Sequence, residues 1–150
     1  MGIKSLLSLL FAKCVVCKNR RWKNNAVTVQ NNLLFSLVKQ AQNTQFGKDH
    51  SFSEITNYTQ WKTNVPVRDY EELKSYIQQV ITGEENILWP GTPLYFCKTS
   101  GTASGIKYIP ISKESMPNHI TAARDAILCY IAESKNTSIA NGKMIFLARF

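Results

Sequence analysis

The chain has 150 residues, 44% of them hydrophobic and 19% charged, and carries a formal net charge of +8. That length can bury one ordinary core, and the composition excludes disordered and collagen-like chains. No apolar run approaches the ~20 residues that a membrane span needs.

The charge is unevenly placed. Lys4, Lys13, Lys18, Arg20, Arg21 and Lys23 fall in the first 25 residues, where there is no acid, and the remainder carries 12 bases against 10 acids. The excess therefore belongs to an N-terminal arm, residues 1–25, which argues against a nucleic-acid-binding domain in residues 26–150. Within the arm, Leu6 to Ala12 resembles a short signal-peptide core, but Lys13 interrupts it and most of the charge follows it. Leu6 stands where a myristoylation pattern needs Ser or Thr, and Lys13 disfavours lipidation at Cys14. Ile3, Leu6, Leu7, Leu10 and Phe11 recur at helical spacing, which predicts a basic amphipathic helix. Its expected place is docked on the body of the protein; lying on a membrane surface is the alternative.

Cys14 and Cys17 form one CxxC, but neither a second pair nor a spaced histidine pair accompanies it, so no metal site is expected. Cys97 and Cys129 stand alone. Reduced, partly buried thiols in a cytoplasmic protein are the expectation.

Beyond the arm, Val27 to Gln42 suits a helix with Leu33, Leu34, Leu37, Val38 and Ala41 on one face, and Gly47 marks a break. "FGKDHSFSEITNYTQW" reads as a loop with a short helical turn capped by Ser53. "VPVRDYEELKSYIQQVITGEE" predicts a second helix, capped by Asp69, closed by Gly83 and burying Tyr70, Leu73, Ile77 and Val80. "NILWPGTP" is a connecting turn. Apolar residues from Pro93 to Cys97 and from Tyr108 to Ile111 predict two short strands. Ser112 then caps a helix running to about Glu133, with Ile120, Ala123, Ile127, Tyr130 and Ile131 as its stripe. His119, Arg124 and Tyr130 on that helix suit a ligand site or a solvated face equally. "MIFLARF" predicts a last strand, and a chain ending inside it reads as a piece of a longer protein.

Between the two short strands lies "KTSGTASGIKYIP". Phosphates are cradled by inward-turned backbone N–H groups, hydroxyl donors and a nearby cation. Thr99, Ser100, Thr102 and Ser104 supply hydroxyls, Gly101 and Gly105 permit tight conformations, and Lys107 supplies charge. Familiar nucleotide patterns fail: Ile106, not glycine, precedes Lys107, three residues rather than four separate Gly101 from Gly105, and Ala103 breaks GxGxxG. From composition alone, a phosphate loop and a plain Ser/Gly-rich turn remain open.

The order Thr-Ser-Gly-Thr-x-x-Gly-x-Lys resembles the first nucleotide-binding motif of adenylate-forming enzymes, the superfamily of acyl-CoA synthetases and luciferases. More closely, "FGKDHSF", "VPVRDYEELKSYI", "GEENILWPG" and "KTSGTASGIKYIPISKES" resemble successive blocks of the auxin-responsive Gretchen Hagen family of acyl acid–amido synthetases. The resemblance covers roughly residues 26–150. It implies an α/β fold, the N-terminal part of an adenylate-forming, luciferase-like large domain. In such a fold, helices precede a strand–phosphate loop–strand, and a further helix and strand follow. It implies a ligase that activates a carboxylic acid with ATP and Mg2+ as an acyl-adenylate and passes the acyl group to an amine or amino acid. Carried over by position, Thr99, Ser100, Gly101, Thr102, Ala103, Ser104 and Gly105 form the phosphate loop, and Lys107 contacts phosphate. Ala103 departs from relatives that carry Ser or Thr there. Catalytic residues, other motifs and the closing domain belong to sequence beyond this chain. A non-catalytic or membrane-associated relative of the same fold, and an enzyme that forms a thioester instead, are the alternatives.

Overall fold

A computed structural model of the chain describes residues 3–99 and 105–142. Described residues are mostly helical, with one two-stranded antiparallel sheet. The chain divides into two compact units: Val27–Pro117, and Met1–Ala26 together with Asn118–Phe150. The expected last strand, "MIFLARF", lies outside the described residues.

In the first of these units, α2 (Ala26–Ala41) turns Val38 and Ala41 into a core with Phe52 and Ile55, and Leu34, Phe35, Phe46 and Trp61 pack around it. Burying each large side chain contributes about 1.5–3 kcal/mol. Leu34, Val38 and Ala41 follow the i, i+4, i+7 spacing of one face, which leaves Leu33 and Leu37 exposed at its flank rather than inside as the broader stripe suggested. Thr44 ends this stretch by donating to the Ala41 carbonyl at 2.7 Å and accepting from the Gly47 N–H at 3.0 Å, which caps α3 (Gln45–Asp49). A Cβ on Gly47 would lie 2.1 Å from the Ala41 carbonyl oxygen, so only glycine fits.

The expected cap at Ser53 gives way to a different arrangement. Ser51 takes the left-handed conformation at φ 51°, which places Ser53 inside a single 3-10 turn, Phe52–Glu54. The longer helix that follows, α4 (Tyr58–Asn64), is capped by Asn57, whose carboxamide oxygen accepts from the Gln60 N–H at 3.0 Å.

α5 (Tyr70–Ile81) opens on a full capping box: the Asp69 carboxylate accepts from the Glu72 N–H, and the Glu72 carboxylate accepts from the Asp69 N–H. Ile77 and Val80 are buried, while Tyr70 and Leu73 are half-buried. The turn after Gly83 is closed on itself, because the Asn86 N–H donates to the Gly91 carbonyl and the Gly91 N–H donates to the Asn86 side chain. It is also stapled to α3, whose Gln45 and Phe46 N–H groups donate to the Asn86 and Ile87 carbonyls at 2.8 and 3.0 Å. Trp89 reaches onward to donate to Glu114 at 3.0 Å. β1 (Tyr95–Lys98) and β2 (Tyr108–Ile111) then pair antiparallel, with Tyr95 opposite Ile111 and Lys98 opposite Tyr108.

In the other unit, α1 (Ile3–Asn24) and α6 (Met116–Ser134) meet through Ala12 and Val15 against Leu128 and Ile131, with a 3-10 turn at Ser138–Asn141 beside α1. Ser112 accepts from the Ser115 N–H at 3.1 Å and so shapes the turn that leads into α6. Ile131 is buried, but Ile120 and Tyr130, expected in the same stripe, are exposed. α1 packs through the opposite face from the one expected: Ser5, Ala12 and Val15 are buried, and Ile3, Leu6, Leu7, Leu10 and Phe11 are exposed. Leu9 of α1 packs beside the contact between the two helices, as do Ile127 and Ala132 of α6. All four cysteines are free and exposed, not partly buried.

Candidate functional site

The hairpin positions the site. Its ladder continues one step beyond the strands, where the Thr99 N–H donates to the Lys107 carbonyl at 3.0 Å, so Thr99 and Lys107 mark the foot of the segment that connects the strands. Side chains of directly paired residues share a face of the ladder. Thr99 and Lys107 therefore lie on one face and Lys98 and Tyr108 on the other, which places two lysines at the loop's base.

Each lysine is held by an aromatic ring. The Lys98 ammonium lies 5.3 Å from the Tyr108 ring centroid and the Lys107 ammonium 5.4 Å from that of Tyr70. Neither has a carboxylate within salt-bridge distance among the described residues, so their charge is not neutralised locally. Tyr70 also anchors the backbone. Its hydroxyl oxygen accepts from the Tyr108 N–H at 2.8 Å, which ties the first turn of α5 to the start of β2. Phe96 meets the Tyr108 ring edge-on at 6.4 Å and braces the opposite face. Gly105 has φ 79°, a left-handed conformation that strains any other residue, and a Cβ there would meet only open space.

Of the residues expected to bind nucleotide, the structure places Thr99, Gly105 and Lys107 together at the foot of the loop. Ser100, Gly101, Thr102, Ala103 and Ser104 lie outside the described residues. Lys98 and Tyr70 were missed as site residues. Lys98 could have been found from the strand alternation across the motif; the role of Tyr70 depends on a contact 38 positions away in sequence and left no local signal.

The other end of the hairpin borders an apolar cavity of about 230 Å³, lined by Val80, Ile87, Trp89, Pro93 and Pro110, with Ser112 and Ser115 among its few polar neighbours. It offers no charge for a phosphate. Arg124 is engaged by its neighbour Asp125 at 2.7 Å, and the Tyr130 hydroxyl accepts from Asn136 at 3.3 Å. Among the described residues no group of three His, Cys, Asp or Glu side chains could hold a metal ion.

A family model described as the GH3 family N-terminal domain matches residues 18–149, which is most of the chain. The chain belongs to the GH3 family. This GH3 chain is 32% identical over 94 residues to the probable indole-3-acetic acid-amido synthetase GH3.1 of Arabidopsis thaliana, across 61% of the chain and 16% of that protein. It is 28% identical over 99 residues to the indole-3-acetic acid-amido synthetase GH3.15 of the same plant, across 65% of the chain and 16% of the relative. The GH3.3 synthetase gives 29% over 94 residues, again 16% of its length. The GH3 chain thus spans about one sixth of the curated relatives it matches. All four sequence blocks, from "FGKDHSF" through the hairpin, fall inside the family match, whereas Ile3 to Cys17 of α1 precede it.

Proposed function

We propose that this GH3 chain is the N-terminal part of an ATP-dependent acyl acid–amido synthetase of adenylate-forming fold, and that its hairpin loop holds the phosphates of ATP. A carboxylate oxygen of the acid attacks the α-phosphorus, the bond to the β-phosphate breaks, and pyrophosphate leaves. An amine, such as that of an amino acid, then attacks the acyl carbonyl; the amide forms, AMP departs, and the amine's proton goes to solvent. The observation that carries this reading is the pair of unneutralised lysines, Lys98 and Lys107, on opposite faces of a hairpin base closed by Thr99.

ATP fits what is present. The foot of the loop offers the Thr99 hydroxyl, open space at Gly105, and two cations held on aromatic rings before the ligand arrives. The sequence between adds hydroxyl residues at Ser100, Thr102 and Ser104. Cations held in place stabilise developing charge without reorganising. In this reading Mg2+ enters as MgATP, held by phosphate oxygens and water. A cytoplasmic setting accords with that substrate. The relatives' names make indole-3-acetic acid the first acid to offer.

The test is acid-dependent exchange of labelled pyrophosphate into ATP by the complete enzyme, across a panel of carboxylic acids. Exchange should need both acid and MgATP, and adding amino acids should yield an amide. A folded enzyme that exchanges with no acid would sink the proposal, and a coenzyme A thioester as sole product would replace amide synthesis with thioester formation.

A further inference from the structure

We propose that α1 is a peripheral membrane-binding helix that seats its apolar face on an anionic lipid surface. At 100° per residue, Ile3, Leu6, Leu7, Leu10 and Phe11 occupy one continuous arc of α1, and Trp22 falls three turns beyond Phe11 on its edge. These side chains are between 49% and 80% exposed, whereas the helix packs on α6 through Ala12 and Val15, with Leu9 beside them. Five large apolar residues over three turns thus stay exposed, although the helix buries Ala12 and Val15 on its opposite face. This is the reverse of a helix whose apolar stripe serves the core.

Charge complementarity selects the occupant. Lys4, Lys13, Lys18, Arg20, Arg21 and Lys23 are all exposed, and no acid precedes Asp49 in the chain. A second copy would bring an equally basic helix against this one, and like charges oppose that docking. The stripe also precedes residue 18, where the family match begins, so the matched family domain does not account for it. An anionic bilayer satisfies both halves of the helix. Leu, Ile and Phe enter the acyl boundary from the first turns, Trp22 sits at headgroup level, and the cations of the last turns reach lipid phosphates along their own alkyl stems. The helix lies on the surface and does not cross it: no helix among the described residues is long and apolar enough to span.

Sedimentation of the full chain with vesicles tests this. Two compositions are used, phosphatidylcholine alone and phosphatidylcholine with about 30% phosphatidylserine, in low and high salt. The chain should partition to the anionic vesicles at least ~10-fold more strongly, and salt should reverse much of the gain. The double variant Leu7→Ser, Phe11→Ser should lose at least ~10-fold, and the variant with Lys18, Arg20, Arg21 and Lys23 changed to Gln about 100-fold, both with unchanged helical circular dichroism. Three results would overturn the proposal: no partition of the parent chain, full partition of the Leu7/Phe11 variant, or concentration-dependent dimerisation without vesicle binding. The last would assign the face to a second copy. If the serine variant loses helicity, the glutamine variant, which leaves the apolar face intact, decides instead.

Discussion

The Lys107 ammonium sits over the ring of Tyr70, 5.4 Å from its centroid, while the Tyr70 hydroxyl accepts the Tyr108 N–H at 2.8 Å. One side chain at the first turn of α5 therefore positions both the cation and the backbone at the foot of the loop. Asp69 and Glu72 fix that turn through their capping box. The block "VPVRDYEELKSYI" serves the site from a distance.

Tyr70→Phe keeps the ring under Lys107 and deletes the acceptor for the Tyr108 N–H. It should lower stability by about 1–2 kcal/mol, since a half-buried donor loses its partner. Tyr70→Ala removes the ring as well and should also weaken MgATP binding by several-fold. Thermal unfolding and nucleotide titration of the two variants separate these effects. Equal ATP affinity in both would dissociate Tyr70 from the site.

Two glycines should respond differently to alanine. At Gly47 the new Cβ would sit 2.1 Å from the Ala41 carbonyl oxygen, a backbone atom that cannot step aside, so Gly47→Ala should lose several kcal/mol and fold poorly. At Gly105 the Cβ meets nothing, and only the left-handed conformation at φ 79° is strained. Gly105→Ala should cost about 1–2 kcal/mol, lower the melting temperature by only a few degrees, and reduce ATP affinity. A severe fold defect at Gly105 alone would contradict this assignment.

Burial and the hydrogen bond it donates to Asp49, 2.7 Å away, raise the pKa of the Tyr76 phenol above its ordinary 10.0. Its contribution is full below pH 10 and is lost as pH climbs through the higher folded-state value, because the folded protein then holds a proton the unfolded chain has released. Tyr76→Phe should cost about 0.5–1.5 kcal/mol at neutral pH and flatten the alkaline fall in stability. Denaturant midpoints measured between pH 8 and pH 11 check both claims. An alkaline limb identical in the variant would rule Tyr76 out.

Local rules carried much of the sequence reading. The cap at Asp69 follows from a side chain that satisfies its own neighbours' backbone, and the strand Tyr108–Ile111 and the helix from Val27 follow from local residue type and spacing, so a short window holds the information. Ser112, expected as a cap, instead holds the turn ahead of α6, which starts at Met116. Ser53 misled because Ser51, two residues earlier, took the left-handed turn that a serine rarely adopts. The arm misled for a different reason. Periodicity identifies an apolar face but not whether that face meets the core, and a small-residue face at Ser5, Ala12 and Val15 packs instead. At the site, Thr99, Gly105 and Lys107 were legible as residue types suited to phosphate. Tyr70 was not, because only the folded chain brings α5 to β2.

Thr102 is one of the hydroxyl residues of "TSGTASGIK" that lie outside the described residues. Acid-dependent pyrophosphate exchange by the complete enzyme, compared between the parent and Thr102→Val, tests the loop's role most directly. Valine keeps the side chain's shape and removes its hydroxyl; if the proposed loop holds ATP, a donor to charged phosphate is typically worth ~1.5–3 kcal/mol, so exchange should slow by roughly 10- to 100-fold with an unchanged melting temperature. A folded Thr102→Val enzyme that exchanges at the parent rate would reduce "TSGTASGIK" to a turn between two strands.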